Sequence, residues 1–395
     1  MTRVVRLATR GEGVTEDGAY VALAAPGDVV ADDGAVLPGP HHIDPPCRHF
    51  PRCGGCQLQH VDDASYAAFL TDRIAGALAS QGLSTTVRAP HLSPPRTRRR
   101  TALRAERIGA KVVIGFNEGQ SHRIVDMREC HVLAPALFAL VAPLRTLLAP
   151  LLRRGRAAEV RMALADQGVD LLLTGVAADG LEASEALTAF AQTHGLARLS
   201  LDDGYGAQPR WEPRPVTVAL GGVPVPLPAG AFLQATADGE TALVAGVREA
   251  IDGATRVADL FAGLGTFALP LSTGAKVLAV EGAREPLLAL KGAATRAGRP
   301  IAVEHRDLFR RPLTARELAP IEAVVLDPPR AGAREQAAEL AHAALGRIAY
   351  VSCNPATFAR DCRMLVDGGW RLDWIRPVGQ FRWSTHVELV AALAR

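Results

Sequence analysis

A chain of 395 residues, 48 % hydrophobic and 22 % charged, is long enough for two or three domains and at least one sizeable core. Its net charge of +3 excludes bulk charge as an argument for any partner, and six cysteines are too sparse for a disulfide scaffold. Clustered thiols in such a chain point to metal or catalysis in a reducing compartment.

The start, MTRVVRLATRGEG, has early charges and no apolar core behind them, so no signal peptide is expected. RVVRLATRGEGV and GAYVALAAPGDVV read as short strands and turns, and LPGPHHIDPP as a linker, giving a β segment over residues 1–46. From Cys47 to about residue 235 the pattern is mixed. TALRAER and KVVIGFN form one strand pair across IGA; EVRMALAD and VDLLLTGVA form a second across QG. Helix-like stretches run over Ala64–Ser80, Pro135–Arg153 and Ala183–His194. The most apolar run, Val132 to Leu152, is broken by Pro135, Pro143, Arg145 and Pro150, so it predicts a buried helix pair and no membrane span. The whole predicts an α+β central domain over 47–235 with an antiparallel sheet.

Over 236–395 the rhythm changes. RVADLFAG, KVLAVEG, IAVEHRD, EAVVLDPP and IAYVSCNP are short apolar strands, each followed by a helical stretch. Buried strands alternating with helices predict a doubly wound parallel sheet, with ligands at the carboxyl ends of its strands. The chemistry-bearing residues fall at those ends. Gly263 and Gly265 in DLFAGLGTF permit a tight strand-to-helix turn, and Glu281 stands about 20 residues on, where an acid bonds ribose hydroxyls. The loop lacks the third glycine of the dinucleotide fingerprint, which favours S-adenosylmethionine. DPPR stiffens the loop after the fourth strand, and Cys353 ends the fifth, just before a helix whose N-terminus would lower a thiol pKa. Cys362, on that helix, reads as structural. Glu388 begins an apolar strand in STHVELVAAL, an uncommon place for an acid unless it is paired or functional.

Two constellations precede that domain. Cys47, Cys53 and Cys56 in CRHFPRCGGC, with the distant Cys130, could hold zinc or an iron–sulfur cluster; three clustered thiols and one remote suit the cluster better. PPRTRRRTALRAER carries Arg96, Arg98, Arg99, Arg100 and Arg104, whose forks suit RNA phosphates or stack on bases; the alternative is a solvated charge run.

Taken in order, CRHFPRCGGCQLQH, TRRRTALR, GAFLQ, DLFAGLGTF, DPPRAG, SCNP and THVELV make the chain similar to the RNA 5-methyluridine methyltransferases that use S-adenosylmethionine. The likeness runs from about residue 4 to the end, is weakest over 140–215, and is nearest to the iron–sulfur branch acting on 23S rRNA. The resemblance implies a class I methyltransferase domain, a central domain with a [4Fe–4S] site, and a short, truncated TRAM-like β segment. It implies Cys353 as nucleophile and Glu388 as base. Gln234, Phe261, Thr266, Glu281, Asp307 and Asp327 would lie around S-adenosylmethionine, and Cys47, Cys53, Cys56 and Cys130 would bind the cluster. A cytoplasmic monomer acting on RNA is expected. The competing readings are a transfer-RNA uridine-5 or RNA cytosine-5 methyltransferase, an exocyclic N-methyltransferase of the DPP type, and a redox-sensing RNA-binding protein with a dead methyltransferase fold.

Overall fold

The computed structural model describes residues 1–153 and 155–395. Its first 37 residues make a five-stranded antiparallel sheet. The strands Thr2–Leu7, Gly13–Thr15, Tyr20–Val21, Val29–Val30 and Val36–Leu37 are arranged third, second, first, fourth, fifth. The last three are two residues each, too short to show alternation in sequence. Asp28, wholly buried, ties the turns together by accepting from the Ala25 and Gly39 backbone N–H groups, each at 2.7 Å.

The central sheet runs Ala207–Trp211, Arg198–Asp202, Gly168–Thr174, Ala158–Ala165, Arg100–Ile108, Lys111–Gly115. Both predicted hairpins are present, joined at their first strands by the Ala158–Ala163 to Ala105–Arg100 antiparallel ladder. Gly168–Thr174 and Arg198–Asp202 are parallel, so the sheet is mixed. In that pair Asp170 faces Arg198, and the buried guanidinium donates to both carboxylate oxygens at 2.8 and 2.7 Å. Removing one partner of such a buried pair costs about 3–5 kcal/mol, because the other charge is left without water or partner. The apolar run after Val132 forms two short helices, Pro135–Ala139 and Val141–Leu151, whose Leu137, Leu144 and Leu148 enter the core with Leu103 and Leu171. No described helix is long and apolar enough to cross a membrane.

The large sheet runs Ile301–His305, Lys276–Glu281, Arg256–Leu260, Ala323–Leu326, Arg347–Ser352, Glu388–Ala394, Arg371–Gly379. The first five are parallel, and Glu388–Ala394 runs antiparallel to both of its neighbours. The order reverses direction between Arg256–Leu260 and Ala323–Leu326, and a doubly wound sheet opens a crevice at that switch point. Helices cover both faces, separating two apolar cores.

The chain does not fill these layers in simple sequence order. Helix Asp63–Ala79 starts where the Asp62 carboxylate accepts from the Ser65 N–H at 2.8 Å. Its Phe69, Leu70, Ile74 and Leu78 pack under the large sheet beside Tyr350 and Phe358. The two short strands that follow, Thr86–Val87 and His91–Leu92, pair with Arg371–Gly379. The stretch from Leu58 to Leu92 thus shares its core with the carboxyl-terminal sheet, although it lies far before residue 236 in sequence.

Candidate active site

Strand register brings the proposed nucleophile and base together. Ser352 is paired with Leu389 in an antiparallel ladder, so the next residue on one strand, Cys353, meets the preceding residue on the other, Glu388. Glu388 is buried at 5 % exposure, whereas Cys353 keeps part of its surface. Asn354 caps the helix Pro355–Asp367 by accepting from the Ala356 N–H at 3.2 Å. Its amide also donates to the Arg330 carbonyl at 2.9 Å, clamping the DPPR loop beside the thiol. Asp361 completes that clamp from inside: it accepts from Tyr350 Oη at 2.6 Å and from the Ala333 N–H at 2.7 Å.

The electrostatics differ from what the sequence led one to expect of the thiol. Cys353 is pushed up to about 11, first by burial and then by the Glu388 and Asp327 carboxylates, with Arg330 pulling the other way. The expected lowering by a helix N-terminus is not what the site gives: burial first, and then two acids from neighbouring strand ends, raise the thiol instead. Glu388 is pushed up to about 8 by burial and by Asp327; Gln380, Arg100 and Arg330 oppose this. Asp327 retains some surface, but the protein packed around its carboxyl pushes it up to about 7. The crevice therefore holds weak acids that exchange protons near neutrality.

The neighbouring strand ends carry the remaining residues. Phe261 has φ +65, a backbone conformation rare for a bulky residue, and its ring is 5.4 Å from Phe309. The Glu281 carboxylate accepts from the Gly263 N–H at 2.8 Å and from the Ala283 N–H at 2.6 Å, so it sits across the glycine turn. Gly263 opens onto free space, while a Cβ at Gly265 would stand 2.5 Å from Leu290; the first glycine serves approach and the second serves packing. Thr266 is half-buried, and Asp307 is exposed, accepting from the Phe309 N–H at 3.0 Å. Asp259 is wholly buried with one carboxylate oxygen lacking any partner. Burial, then Asp327, holds it far above the usual carboxylate range. An orphaned oxygen beneath an open glycine turn and a ribose-type acid fits a nucleoside-bearing ligand such as S-adenosylmethionine.

Gln234 is buried on the other wall, and its Oε1 accepts from the Gln380 amide at 2.8 Å. Gln380 also accepts from the Ala235 N–H at 2.7 Å. Gln380, Asp259 and Asp361 escaped the sequence reading. Gln380 lies in an undistinguished turn, and its partners are about 145 residues away.

The five arginines do not present one common face. Arg96 is exposed and Arg104 lies 4.0 Å from Glu159. Arg99 is half-buried in an ion pair with Glu240. Arg100 lies 4.5 Å over the exposed ring of Phe232, beside the Gln234 wall. Arg98 turns inward to a separate cavity. That cavity is lined by Cys47, Cys53, Cys56 and Cys130 together, with Phe50, Phe116 and Val132 as apolar walls. Burial raises the Cys47, Cys53 and Cys56 thiols, the last to about 12. Among the described residues, no three His, Cys, Asp or Glu groups are close enough to hold a single metal ion. Four sulfurs around one cavity are a donor set that fits a thiolate-held metal group, zinc or iron–sulfur.

Residues 302–395 match the family described as tRNA (Uracil-5-)-methyltransferase. Over its full length the chain is 54 % identical to the full length of an uncharacterized RNA methyltransferase of Zymomonas mobilis. It is 33 % identical to a 23S rRNA (uracil(1939)-C(5))-methyltransferase of Thiobacillus denitrificans, over 91 % of this chain and 87 % of that one. The fold is similar to that of the Pyrococcus abyssi tRNA (uracil-54, C5)-methyltransferase in complex with S-adenosyl-L-homocysteine. Its TM-score is 0.75 with all of both chains covered, at 22 % identity.

Proposed function

The chain belongs to the S-adenosylmethionine-dependent RNA (uracil-5-)-methyltransferases, and from that premise we propose that it methylates a uridine of 23S rRNA through a covalent Cys353–uracil adduct. The observation that carries this reading is the register that sets Cys353 beside a buried, raised Glu388 at adjacent strand ends.

Carbon 5 of uracil is too weak a nucleophile to take a methyl group directly. The Cys353 thiolate adds to carbon 6, and the electron pair of the ring double bond moves onto the carbonyl oxygen as an enolate. Carbon 5 is then the nucleophile. S-adenosylmethionine, when bound, supplies an electrophilic methyl on a positive sulfonium; Gln234, Phe261, Thr266, Glu281, Asp307 and Asp327 are the residues proposed to hold it. Glu388 removes the carbon 5 proton, the double bond reforms, and the Cys353 thiolate leaves. A carboxylate raised to about 8 is a stronger proton acceptor than a solvated one, which suits this step. The thiol proton must go first, and Arg330 is the fixed cation that favours the thiolate.

The target base leaves its stack to enter the crevice. Of the five arginines, Arg96, Arg99, Arg100 and Arg104 are proposed to form the approach, Arg98 being turned into the cysteine cavity. Exposed Arg96 would meet phosphates, Arg100 would back the Phe232 ring, and Arg99, paired with Glu240, would fix the wall. Cys47, Cys53, Cys56 and Cys130 are proposed to hold a [4Fe–4S] cluster, supported by their common cavity. Methyl transfer moves no net electron, so its role is assigned to structure or to docking folded RNA. The relative at 33 % identity favours 23S rRNA, the cysteine set accords with that branch, and the cytoplasm is the proposed place of action. The matched family's description keeps transfer RNA as the alternative.

The test uses RNA containing 5-fluorouridine, whose fluorine cannot leave as a proton. Incubation with S-adenosylmethionine should give a methylated covalent adduct, seen by intact mass and gel shift, with a 23S rRNA fragment and with no Cys353→Ala protein. An adduct with transfer RNA alone would move the substrate. No adduct with any RNA, despite bound S-adenosylmethionine, would turn the reading toward exocyclic N-methylation.

A further inference from the structure

The cysteine cavity and the catalytic crevice are joined by one segment, residues 380–388. Its ends belong to the crevice: Gln380 binds Gln234 and Ala235, and Glu388 faces Cys353. Its middle belongs to the cavity. Trp383 is 5 % exposed and packs with Cys56 and Val132, against Phe50 and Cys130. Its φ is +58, a left-handed conformation that a bulky aromatic holds only where its surroundings impose it. Those surroundings are identifiable. The Trp383 carbonyl accepts from the N–H groups of Gln57 at 2.8 Å and Leu58 at 2.9 Å, the two residues that follow Cys56. Tyr66 Oη lies within hydrogen-bond reach of the Phe381 and Ser384 carbonyls on either side, at 3.0 and 3.2 Å. Arg98, in the cavity wall, lies 5.4 Å over the Phe381 ring. A strained residue fixed from three directions, five residues before a strand that opens with an acid, is a device for placing that acid.

We propose that Trp383 is a positioning residue: it docks the 380–388 segment on the cysteine-bearing loop and so sets the reach of Glu388 to the proton it removes. The inference rests on the uracil-5 reading above. It separates two steps of that reaction. Formation of the carbon–sulfur bond depends on Cys353, held by strand Arg347–Ser352 and the Asn354-capped helix, which take no part in the Trp383 contact. Removal of the carbon 5 proton depends on Glu388. Undocking Trp383 therefore slows release and spares attack.

Full-length Trp383→Ala, Trp383→Phe and Glu388→Gln proteins are compared with wild type, with iron content measured alongside. With ordinary uridine RNA and S-adenosylmethionine, Trp383→Ala should accumulate the methylated covalent complex, as Glu388→Gln should. Its turnover should fall about 100-fold, the scale of a displaced general base. Its adduct with 5-fluorouridine RNA should form at the wild-type rate, because that adduct needs no proton removal. Amide exchange over 380–387 should quicken, and Trp383→Phe should restore both readouts. Should Trp383→Ala not fold, Trp383→Leu keeps apolar bulk and carries the same expectation. Wild-type turnover in the variant, or loss of turnover with no trapped complex and unchanged amide exchange, would overturn the proposal. No 5-fluorouridine adduct even in wild type would sink the uracil-5 reading instead, and the amide-exchange comparison would still decide whether Trp383 docks the segment.

Discussion

The chain has two thiol sites, and burial alone does not distinguish them. Burial pushes Cys56 up to about 12 and Cys353 up to about 11. What surrounds the sulfurs does distinguish them. In the cavity four thiols face one another across rings and aliphatic walls, with Arg98 alongside. In the crevice a single thiol faces the carboxylates of Glu388 and Asp327, both raised toward neutrality. The first arrangement offers several sulfur donors to one occupant. The second offers a nucleophile with proton acceptors beside it. One residue type is set in two different surroundings because loops built the first site and strand ends built the second.

The largest expected effect tests that division directly. Cys353→Ala should abolish the 5-fluorouridine adduct and cut methylation about a thousandfold or more. Cys130→Ser should instead lose iron and acid-labile sulfide while Cys353 still attacks. If the cavity variant also failed to form the adduct in folded protein, the two sites would not be separable. Next comes Glu388→Gln, expected to lower turnover about 10²–10⁴-fold while the covalent intermediate builds up on a denaturing gel.

A smaller effect is read in thiol reactivity against pH. In wild type, alkylation of Cys353 should rise toward pH 11, since its thiol is raised by burial and two carboxylates. Glu388→Gln removes a negative charge that disfavours the thiolate, so the profile should move to lower pH. Peptide mass spectrometry reads the rate, and an upward or absent shift would contradict the assigned neighbours. Cys56, buried among apolar groups, should stay unmodified until the protein unfolds. The smallest effect concerns the crevice floor. Gly265→Ala meets Leu290 at a φ of +92 and should cost about 1–3 kcal/mol in thermal melts.

Much of this was legible because it is local. The alternation of apolar strands and helices after residue 236, the glycine turn, DPPR and the SCNP strand end are all set within a few residues, and they appear where expected, save that turns and not the expected helix follow Ile301–His305. The two central hairpins and the helix pair after Val132 were legible for the same reason. The lowered thiol was the error. A helix N-terminus can be read from Asn354-Pro355, but Glu388 lies 35 residues from Cys353 in sequence and meets it only through strand pairing.

By itself, then, the sequence determined the fold class, the order of the strand ends and the residue types at each, because turn chemistry and hydrophobic period act over short range. Tertiary structure alone decided that the Leu58–Leu92 stretch belongs to the carboxyl-terminal sheet, that Arg99 is committed to Glu240, and that Trp383 docks beside Cys56. Those outcomes come from contacts between groups tens to hundreds of residues apart. Burial and charge there depend on which surfaces finally meet, and no local pattern encodes that meeting.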